Sequence, residues 1–252
     1  MTRFTVDRAT TGQALKAATE MTESMVARAM TASIVAGALI FGDAGDDDIS
    51  GDSKDDSRDA TDRDTLSYAG VGGAVTVDLA LAFPQNIGAG GWDAIQGIER
   101  LIGSRFSDVL SGAATAETLT GGAGNDTLNG RGGNDRLEGG ASRDALTGGT
   151  GRDTFVFNTG LSSANRTTIT DFNAVEDTLA LDDAIFAAIG TQLSAGEFRT
   201  GSQALDADDR IIHDPTSRTL AYDADGVGGQ AGIVFAVIGR GLTIGADDFL
   251  IF

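Results

Sequence analysis

The chain has 252 residues, a formal net charge of −19 and a sequence pI near 4.2. Phosphate binding needs a basic surface, so this acidity excludes nucleic acid as a partner; the lack of cysteine excludes disulfides and thiolate metal sites. Most of the 37 acidic residues are Asp, which favours turns and oxygen-ligated hard cations.

The first predicted element is a helix over residues 11–30, where helix-favouring residues place apolar side chains near one face. We expect this helix to belong to an N-terminal cap, residues 1–41, that covers the open end of the fold. An uncovered sheet edge invites aggregation, which is the reason for expecting a cap. A membrane-active or partner-binding helix is the alternative interpretation.

The longest apolar stretch, residues 25–41, contains Arg28 and is shorter than the ~20 apolar residues that a membrane span needs. The sequence therefore predicts no transmembrane segment. The stretch is also a poor signal peptide, because acidic residues precede it and no basic segment does. We expect any export to proceed without a cleaved N-terminal signal.

A nonapeptide repeat organises the middle of the chain. Position six is acidic and position eight is apolar in six consecutive copies, which begin at Gly103, Gly112, Gly121, Gly130, Gly139 and Gly148. An isolated further copy, GDAGDDDIS, begins at Gly42 and has Asp47 at position six, with no clear second turn in register. Six copies in frame are a strong signal for a stacked repeat.

Each repeat reads as a turn followed by a short strand. Glycines at positions one, two and four permit positive φ, and the last three residues form a strand with its central apolar side chain inward. Two nonapeptides make one coil, so turns on the same edge are 18 residues apart. This spacing groups the acidic residues into two edges, one with Asp108, Asp126 and Asp144 and the other with Glu117, Asp135 and Asp153. The prediction is an all-β, right-handed parallel β-roll over residues 42–156.

Stacked carboxylates one strand spacing apart, ~4.8 Å, repel each other unless a cation lies between them. Calcium fits such turns because it accepts six to eight oxygens from carboxylates and backbone carbonyls. The alternative is a calcium-free solenoid with acidic turns, which like-charge repulsion would destabilise.

The pattern GGxGxDxUx resembles the repeat of the RTX, or hemolysin-type, calcium-binding family, and the similarity extends over residues 42–252. The resemblance implies that a β-rich cap, residues 157–252, follows the roll and ends in an uncleaved signal for a type I exporter. Asp247 and Asp248, followed by the apolar residues 249–252, match such an ending.

The resemblance also implies the calcium ligands. The strongest carboxylate candidates are Asp126, Asp135, Asp144 and Asp153; Asp171 and Asp177 are additions from the following segment, and Asp108 and Asp47 lie in less regular turns. The glycines of the candidate turns are Gly121, Gly122, Gly124, Gly130, Gly133, Gly139, Gly140, Gly148, Gly149 and Gly151.

Four repeats depart from the glycine pattern. The turns that begin at Gly103 and Gly112 lack glycine at positions two and four, so we expect them to form no complete site. Arg131 and Ser142 replace glycines at position two of one repeat and position four of another.

No catalytic residue is predicted. His213 is the only histidine, so the chain cannot form the HExxH motif of RTX-bearing zinc proteases, and no GxSxG elbow is present. We expect a secreted, non-catalytic bacterial calcium-binding protein that meets a type I exporter and then acts at a cell surface, matrix or host interface. The alternatives are a secretion and folding module of an RTX enzyme, such as a protease or lipase, and a membrane-active RTX protein.

Overall fold

The computed structural model describes residues 31–33, 39–51, 63–227 and 229–252. The predicted N-terminal helix, residues 11–30, lies outside the described residues. Within the described ranges, no helix has the length and apolarity that crossing a bilayer requires.

Short strands make up most of the described chain. The first fourteen are β1 (Thr31–Ser33), β2 (Leu39–Phe41), β3 (Asp48–Ser50), β4 (Thr65–Ser67), β5 (Thr76–Asp78), β6 (Gln85–Gly88), β7 (Gly91–Gln96), β8 (Arg100–Ile102), β9 (Val109–Ser111), β10 (Thr118–Ala123), β11 (Thr127–Asn129), β12 (Arg136–Ala141), β13 (Ala145–Thr147) and β14 (Thr154–Phe157). The others are β15 (Thr167–Ile169), β16 (Thr178–Leu181), β17 (Phe198–Thr200), β18 (Ile211–Asp214), β19 (Thr219–Tyr222), β20 (Ile233–Val237) and β21 (Phe249–Ile251), with a 3₁₀ turn at Ala246–Asp248.

Two long sheets face each other across the core. The first has the order β2-β4-β8-β10-β12-β14-β16-β21, and every neighbouring pair in it is parallel. The second has the order β17-β18-β19-β20-β15-β13-β11-β9-β5, and it is parallel from β20 to β5. A smaller sheet has the order β1-β3-β7-β6. The predicted all-β class and parallel β-roll are confirmed.

The register follows the nonapeptide repeat. Leu101, Leu119, Leu137 and Phe155 lie opposite one another on successive strands of the first sheet. Leu110, Leu128 and Leu146 do the same on the second. All seven side chains are buried because they point between the sheets; six of them are at position eight of a repeat, and Leu101 lies nine residues before Leu110. One coil therefore spans 18 residues, as the spacing predicts.

The chain after the roll continues both sheets. Strands β16 and β21 extend the first sheet, whereas β18, β19 and β20 form an antiparallel meander that extends the second. The core of this C-terminal part contains four aromatic rings that meet edge to face: Phe157, Phe186, Tyr222 and Phe235. The boundary of a separate cap at residue 157 stays a prediction.

Candidate metal centre

The position-six carboxylates stack on two edges of the roll. On the first edge, the backbone N–H of Asp108 donates to Asp126 Oδ1 at 2.8 Å, and the N–H of Asp126 donates to Asp144 Oδ1 at 3.0 Å. Each carboxylate thus accepts a hydrogen bond from the equivalent residue one coil earlier. The predicted grouping of these three residues is correct, and the bonds hold their carboxylates in fixed orientations.

The second edge repeats this arrangement. The N–H of Glu117 donates to Asp135 Oδ1 at 2.8 Å, and that of Asp135 donates to Asp153 Oδ1 at 2.9 Å. The N–H of Asp153 then donates to Asp177 Oδ1 at 3.0 Å, so Asp177 extends the series beyond the last nonapeptide. We call the series on both edges the carboxylate ladder.

The second oxygen of four ladder carboxylates is buried and, across the described part of the chain, has no hydrogen-bond donor. We call these atoms the open oxygens: Oδ2 of Asp126, Asp135, Asp144 and Asp153. Burial raises the pKa of Asp126 and Asp135 to about 7 and that of Asp144 to about 6, and it also raises the pKa of Asp153. A buried carboxylate oxygen without a donor is costly unless a cation or a proton compensates it.

The turns that carry the open oxygens share one backbone conformation. We call the four turns, 121–126, 130–135, 139–144 and 148–153, the glycine-rich turns. Positions two and four have positive φ in all of them, at Gly122, Gly124, Arg131, Gly133, Gly140, Ser142, Gly149 and Gly151. Arg131 (φ 70°) and Ser142 (φ 96°) therefore keep the glycine conformation although they carry side chains.

Close stacking explains the glycines. A Cβ on Gly151 would overlap the carbonyl oxygen of Gly133 one coil earlier, and a Cβ on Gly140 would overlap that of Gly122. Backbone carbonyls of one turn therefore approach the next turn directly. Within the described residues, no three carboxylate or imidazole side chains converge on one point, so a cation here must take most of its ligands from carbonyls.

The two turns at 103–108 and 112–117 differ, and we call them the capped turns. Asp108 Oδ2 accepts a hydrogen bond from the N–H of Ser104 at 2.5 Å, and Oδ1 accepts from Ser104 Oγ at 2.8 Å and from the N–H of Val75 at 2.7 Å. Glu117 Oε2 accepts from the N–H of Ala113 at 3.0 Å, and Oε1 accepts from the Thr115 hydroxyl. Protein donors thus bond both oxygens of each carboxylate.

Position two decides which kind of turn forms. Neither Ser104 nor Ala113 has positive φ, and their N–H groups point back at the carboxylate of their own turn. In the glycine-rich turns, position two has positive φ and Oδ2 stays open; the N–H of Arg131 donates to Asn129 Oδ1 and that of Gly149 to Asp171 Oδ2. The expectation that the turns at Gly103 and Gly112 differ from the others therefore has a physical basis.

Asp171 and Asp177 lie where the second edge ends. Asp171 accepts hydrogen bonds from the N–H groups of Gly148 at 2.9 Å and Gly149 at 2.8 Å, and Asp177 Oδ2 accepts from the N–H of Asn173 at 2.8 Å. Both residues are thus close to the last glycine-rich turn, with backbone donors on their oxygens. Their role as calcium ligands stays a prediction, as does that of Asp108.

Asp47 has a second turn in register, which sequence reasoning missed. Its N–H donates to Asp93 Oδ1 at 3.0 Å, and strands β3 and β7 pair next to this contact. Asp93 Oδ2 accepts from the Tyr68 hydroxyl at 2.6 Å. Burial raises the pKa of Asp93, and these two hydrogen bonds oppose that rise. The missed signal is the imperfect nonapeptide GAGGWDAIQ at 88–96, with Asp93 at position six.

The donor set of the glycine-rich turns fits a hard cation such as calcium: oriented carboxylates, buried open oxygens and closely stacked backbone carbonyls.

A family model matches the nonapeptide region in sequence. The family model for the RTX calcium-binding nonapeptide repeat (four copies) matches residues 39–57, 93–128 and 120–155. No curated protein matches the chain.

Solved structures give partial matches. A repeat subunit (R2) of the mannuronan C5-epimerase from Azotobacter vinelandii is 28% identical, with a TM-score of 0.41 over 59% of this chain and 90% of that one. A second repeat subunit (R3) of that epimerase is 24% identical, with a TM-score of 0.35 over 57% and 79%. The extracellular lipase LipA from Serratia marcescens is 21% identical, with a TM-score of 0.37 over 85% of this chain and 38% of the lipase chain.

Proposed function

Because the chain carries RTX calcium-binding nonapeptide repeats stacked as a parallel β-roll, we propose that it is a secreted protein that folds on binding calcium after type I export. In this proposal it acts without catalysis at a cell surface, a matrix or a host interface. Calcium and the exporter are its first two partners.

The open oxygens carry the proposal. In each glycine-rich turn, Oδ1 of the position-six Asp is held by a backbone N–H, and Oδ2 is buried and open. Calcium between successive turns would neutralise these oxygens and be coordinated by nearby backbone carbonyl oxygens. We assign the carboxylate ligands to Asp126, Asp135, Asp144 and Asp153 and the carbonyl ligands to the glycine-rich turns.

The magnitudes suit a folding switch. Extracellular calcium modules have Kd values of ~0.1–1 mM. Calcium tenfold above its Kd stabilises the folded state by about 1.4 kcal/mol per site. In a cytosol with calcium far below Kd this contribution vanishes, and the buried carboxylates oppose folding. The glycine-rich turns then stay unfolded, and the roll completes its fold only after export.

The C-terminal segment supports export before folding. In the folded protein β21 is the last strand of the first sheet, Phe249 is buried, and the Arg136 guanidinium lies 5.3 Å from the centre of the Phe252 ring. The Leu250 and Phe252 side chains are exposed in the fold, but the backbone of β21 pairs with β16, so an exporter that binds this backbone needs the unfolded chain.

The environment of His213 supports a role without catalysis. His213, the only histidine in the sequence, lies in β18 and is 3% exposed. This burial lowers the pKa of its imidazole. A general base must come within hydrogen-bond reach of a substrate proton, and the His213 imidazole is buried within the sheet.

A calcium titration of EDTA-treated protein tests the proposal, with circular dichroism and calorimetry as readouts and magnesium as the control. We expect a gain of β-structure at sub-millimolar to millimolar calcium, with several ions bound. A β protein that EDTA leaves fully folded, and that contains no metal by elemental analysis, would contradict it.

A further inference from the structure

Three buried carboxylates that precede the glycine-rich turns accept hydrogen bonds from protein donors on both oxygens. We call residues 64–120 the first segment. Asp93 is completely buried, and both of its oxygens accept hydrogen bonds, from Tyr68 and from the N–H of Asp47. The capped turns satisfy Asp108 and Glu117 in the same way. These carboxylates therefore need no cation for their burial.

A fixed positive charge also reaches this segment. Arg131, at position two of a glycine-rich turn, forms a two-pronged ion pair with Asp78 in β5, at 2.6 and 2.7 Å. Its guanidinium also donates to the carbonyl oxygen of Gly112 at 3.1 Å. Strand β9 lies between β5 and β11 in the sheet, so the Arg131 side chain reaches past one coil to pair with Asp78, 53 residues earlier in the sequence. An ion pair with two parallel hydrogen bonds fixes the relative orientation of the two side chains in addition to attracting them.

The first segment has its own apolar core. Its buried apolar side chains are Leu66, Tyr68, Val71, Val75, Val77, Ile87, Ile95, Ile98, Leu101, Leu110 and Leu119. The Tyr68 ring fills the space beside Gly42, where a Cβ would overlap it. Repeat folds gain stability from contacts between neighbouring coils, so a contiguous core of this kind can fold locally.

The first segment also presents donors to the next coil. The N–H groups of Asp108 and Glu117 hold Oδ1 of Asp126 and Asp135, the first two carboxylates with open oxygens. The N–H group of Gly112 donates to the carbonyl of Asn129. The edge of the first segment therefore sets the register and the carboxylate orientation of the glycine-rich turns.

We propose that the first segment is a metal-independent template, which folds without calcium and positions the glycine-rich turns for it. Asp108 and Glu117 act in it as positioning residues and not as ligands. This inference rests on the proposed function, because it assigns the calcium requirement to residues 121–157 and removes it from residues 64–120.

Hydrogen exchange of the full chain, followed by mass spectrometry with calcium and with EDTA, tests the template. In EDTA we expect peptides from 64–120 to exchange at least about tenfold more slowly than the same peptides in denaturant, and peptides from 121–157 to exchange at the denatured rate. In calcium both sets are protected. Exchange of both regions at the denatured rate in EDTA would overturn the template and leave calcium-dependent folding intact. Protection of both regions in EDTA, in metal-free protein, would overturn the proposed function itself.

A pair of variants tests the source of the protection. Tyr68→Phe removes a donor from the buried Asp93 carboxylate, so it should raise the exchange rate of residues 64–120 in EDTA by about tenfold or more. The control Tyr222→Phe removes a buried hydroxyl that accepts from the N–H of Ala188 in the C-terminal region. It should leave exchange of residues 64–120 unchanged. Equal effects of the two variants would show that the Tyr68 hydroxyl has no special role in the template.

Discussion

The capped turns and the glycine-rich turns follow one another on the same edges, yet they neutralise buried carboxylates by different means. In a capped turn, position two directs its N–H at the carboxylate and a nearby hydroxyl adds a second donor. In a glycine-rich turn, position two has positive φ, its N–H does not bond the carboxylate, and one oxygen stays open. The difference shows that the glycines do more than permit tight turns, because they withhold a hydrogen bond that a cation can replace.

The sharpest test of this comparison uses two neighbouring turns of the second edge. Asp135→Asn removes the charge of a carboxylate that has an open oxygen. We expect this variant to bind about one calcium ion fewer and to be less stable, when loaded with calcium, by about 1–3 kcal/mol. Calorimetric calcium titration and thermal unfolding measure the two effects. Glu117→Gln is the matched control, because protein donors already bond both Glu117 oxygens. Equal losses of calcium in the two variants would remove the distinction between the turns.

Adding a side chain to a glycine-rich turn should lower the stability of the loaded protein nearly as much as Asp135→Asn does. Gly151 has a φ of 127°, and an added Cβ would overlap the Gly133 carbonyl oxygen. We expect Gly151→Ala to destabilise the calcium-loaded protein by about 2 kcal/mol, measured by denaturant unfolding. A Cβ on Gly160 meets nothing within 4 Å, so Gly160→Ala should change stability by less than about 0.5 kcal/mol. A neutral Gly151→Ala would contradict the stacking that the structure shows.

The two kinds of turn should also respond differently to pH. Burial raises the pKa of Asp126 and Asp135 in the folded chain to about 7, and the neighbouring carboxylates Asp108 and Asp144 add to the rise at Asp126. A carboxyl whose folded pKa exceeds its unfolded pKa binds more protons when folded, so its burial costs stability as pH rises from about 4 through about 7.

In EDTA, residues 121–157 should therefore be more ordered at pH 5 than at pH 8, as hydrogen exchange corrected for pH would show. In calcium the sign reverses, since protons compete with the metal, and the apparent affinity should fall as pH drops below about 7. Calorimetry in buffers of different ionisation enthalpy would detect the protons that calcium releases. An affinity that stays constant from pH 8 to pH 5 would contradict the assignment of these carboxylates as ligands.

The smallest expected effects come from the two residues that replace glycines. Ser142 holds a φ of 96°, so Ser142→Gly should stabilise the protein by about 0.5–1 kcal/mol by relieving backbone strain. Arg131→Gly should instead destabilise it, because the ion pair to Asp78 is lost together with the bond to Gly112. Denaturant unfolding in saturating calcium compares the two variants. The same sign of change in both would show that the Arg131 ion pair contributes little.

The nonapeptide spacing was enough to predict the roll, the register of the inward leucines and the two edges of acidic residues. Those features depend on periodicity alone, and the pairing of Leu119 with Leu137 follows directly from it. The Asp and glycine positions of the glycine-rich turns were predicted for the same reason, and the structure adds that one oxygen of each carboxylate is held by a backbone N–H.

Contacts between irregular segments could not be predicted. The bond from Tyr68 to Asp93 and the ion pair from Arg131 to Asp78 join positions with no common period, and they form only once the coils stack. The turn at 88–93 was missed because a hairpin, β6 with β7, interrupts the repeat before it. The antiparallel meander of β18 to β20 lies outside the nonapeptide pattern altogether.

The carboxylate ladder gives the roll a polarity. Each of its bonds runs from the N–H of one coil to the carboxylate of the following coil. A cut between two coils would therefore leave two unlike faces, one presenting backbone donors and the other presenting acidic acceptors. Two such fragments would pair head to tail, with donors facing acceptors. Two identical faces would instead place donors against donors or carboxylates against carboxylates. The roll is in this sense a directional polymer, and its halves are suited to a split-protein pair that reassembles in a single orientation.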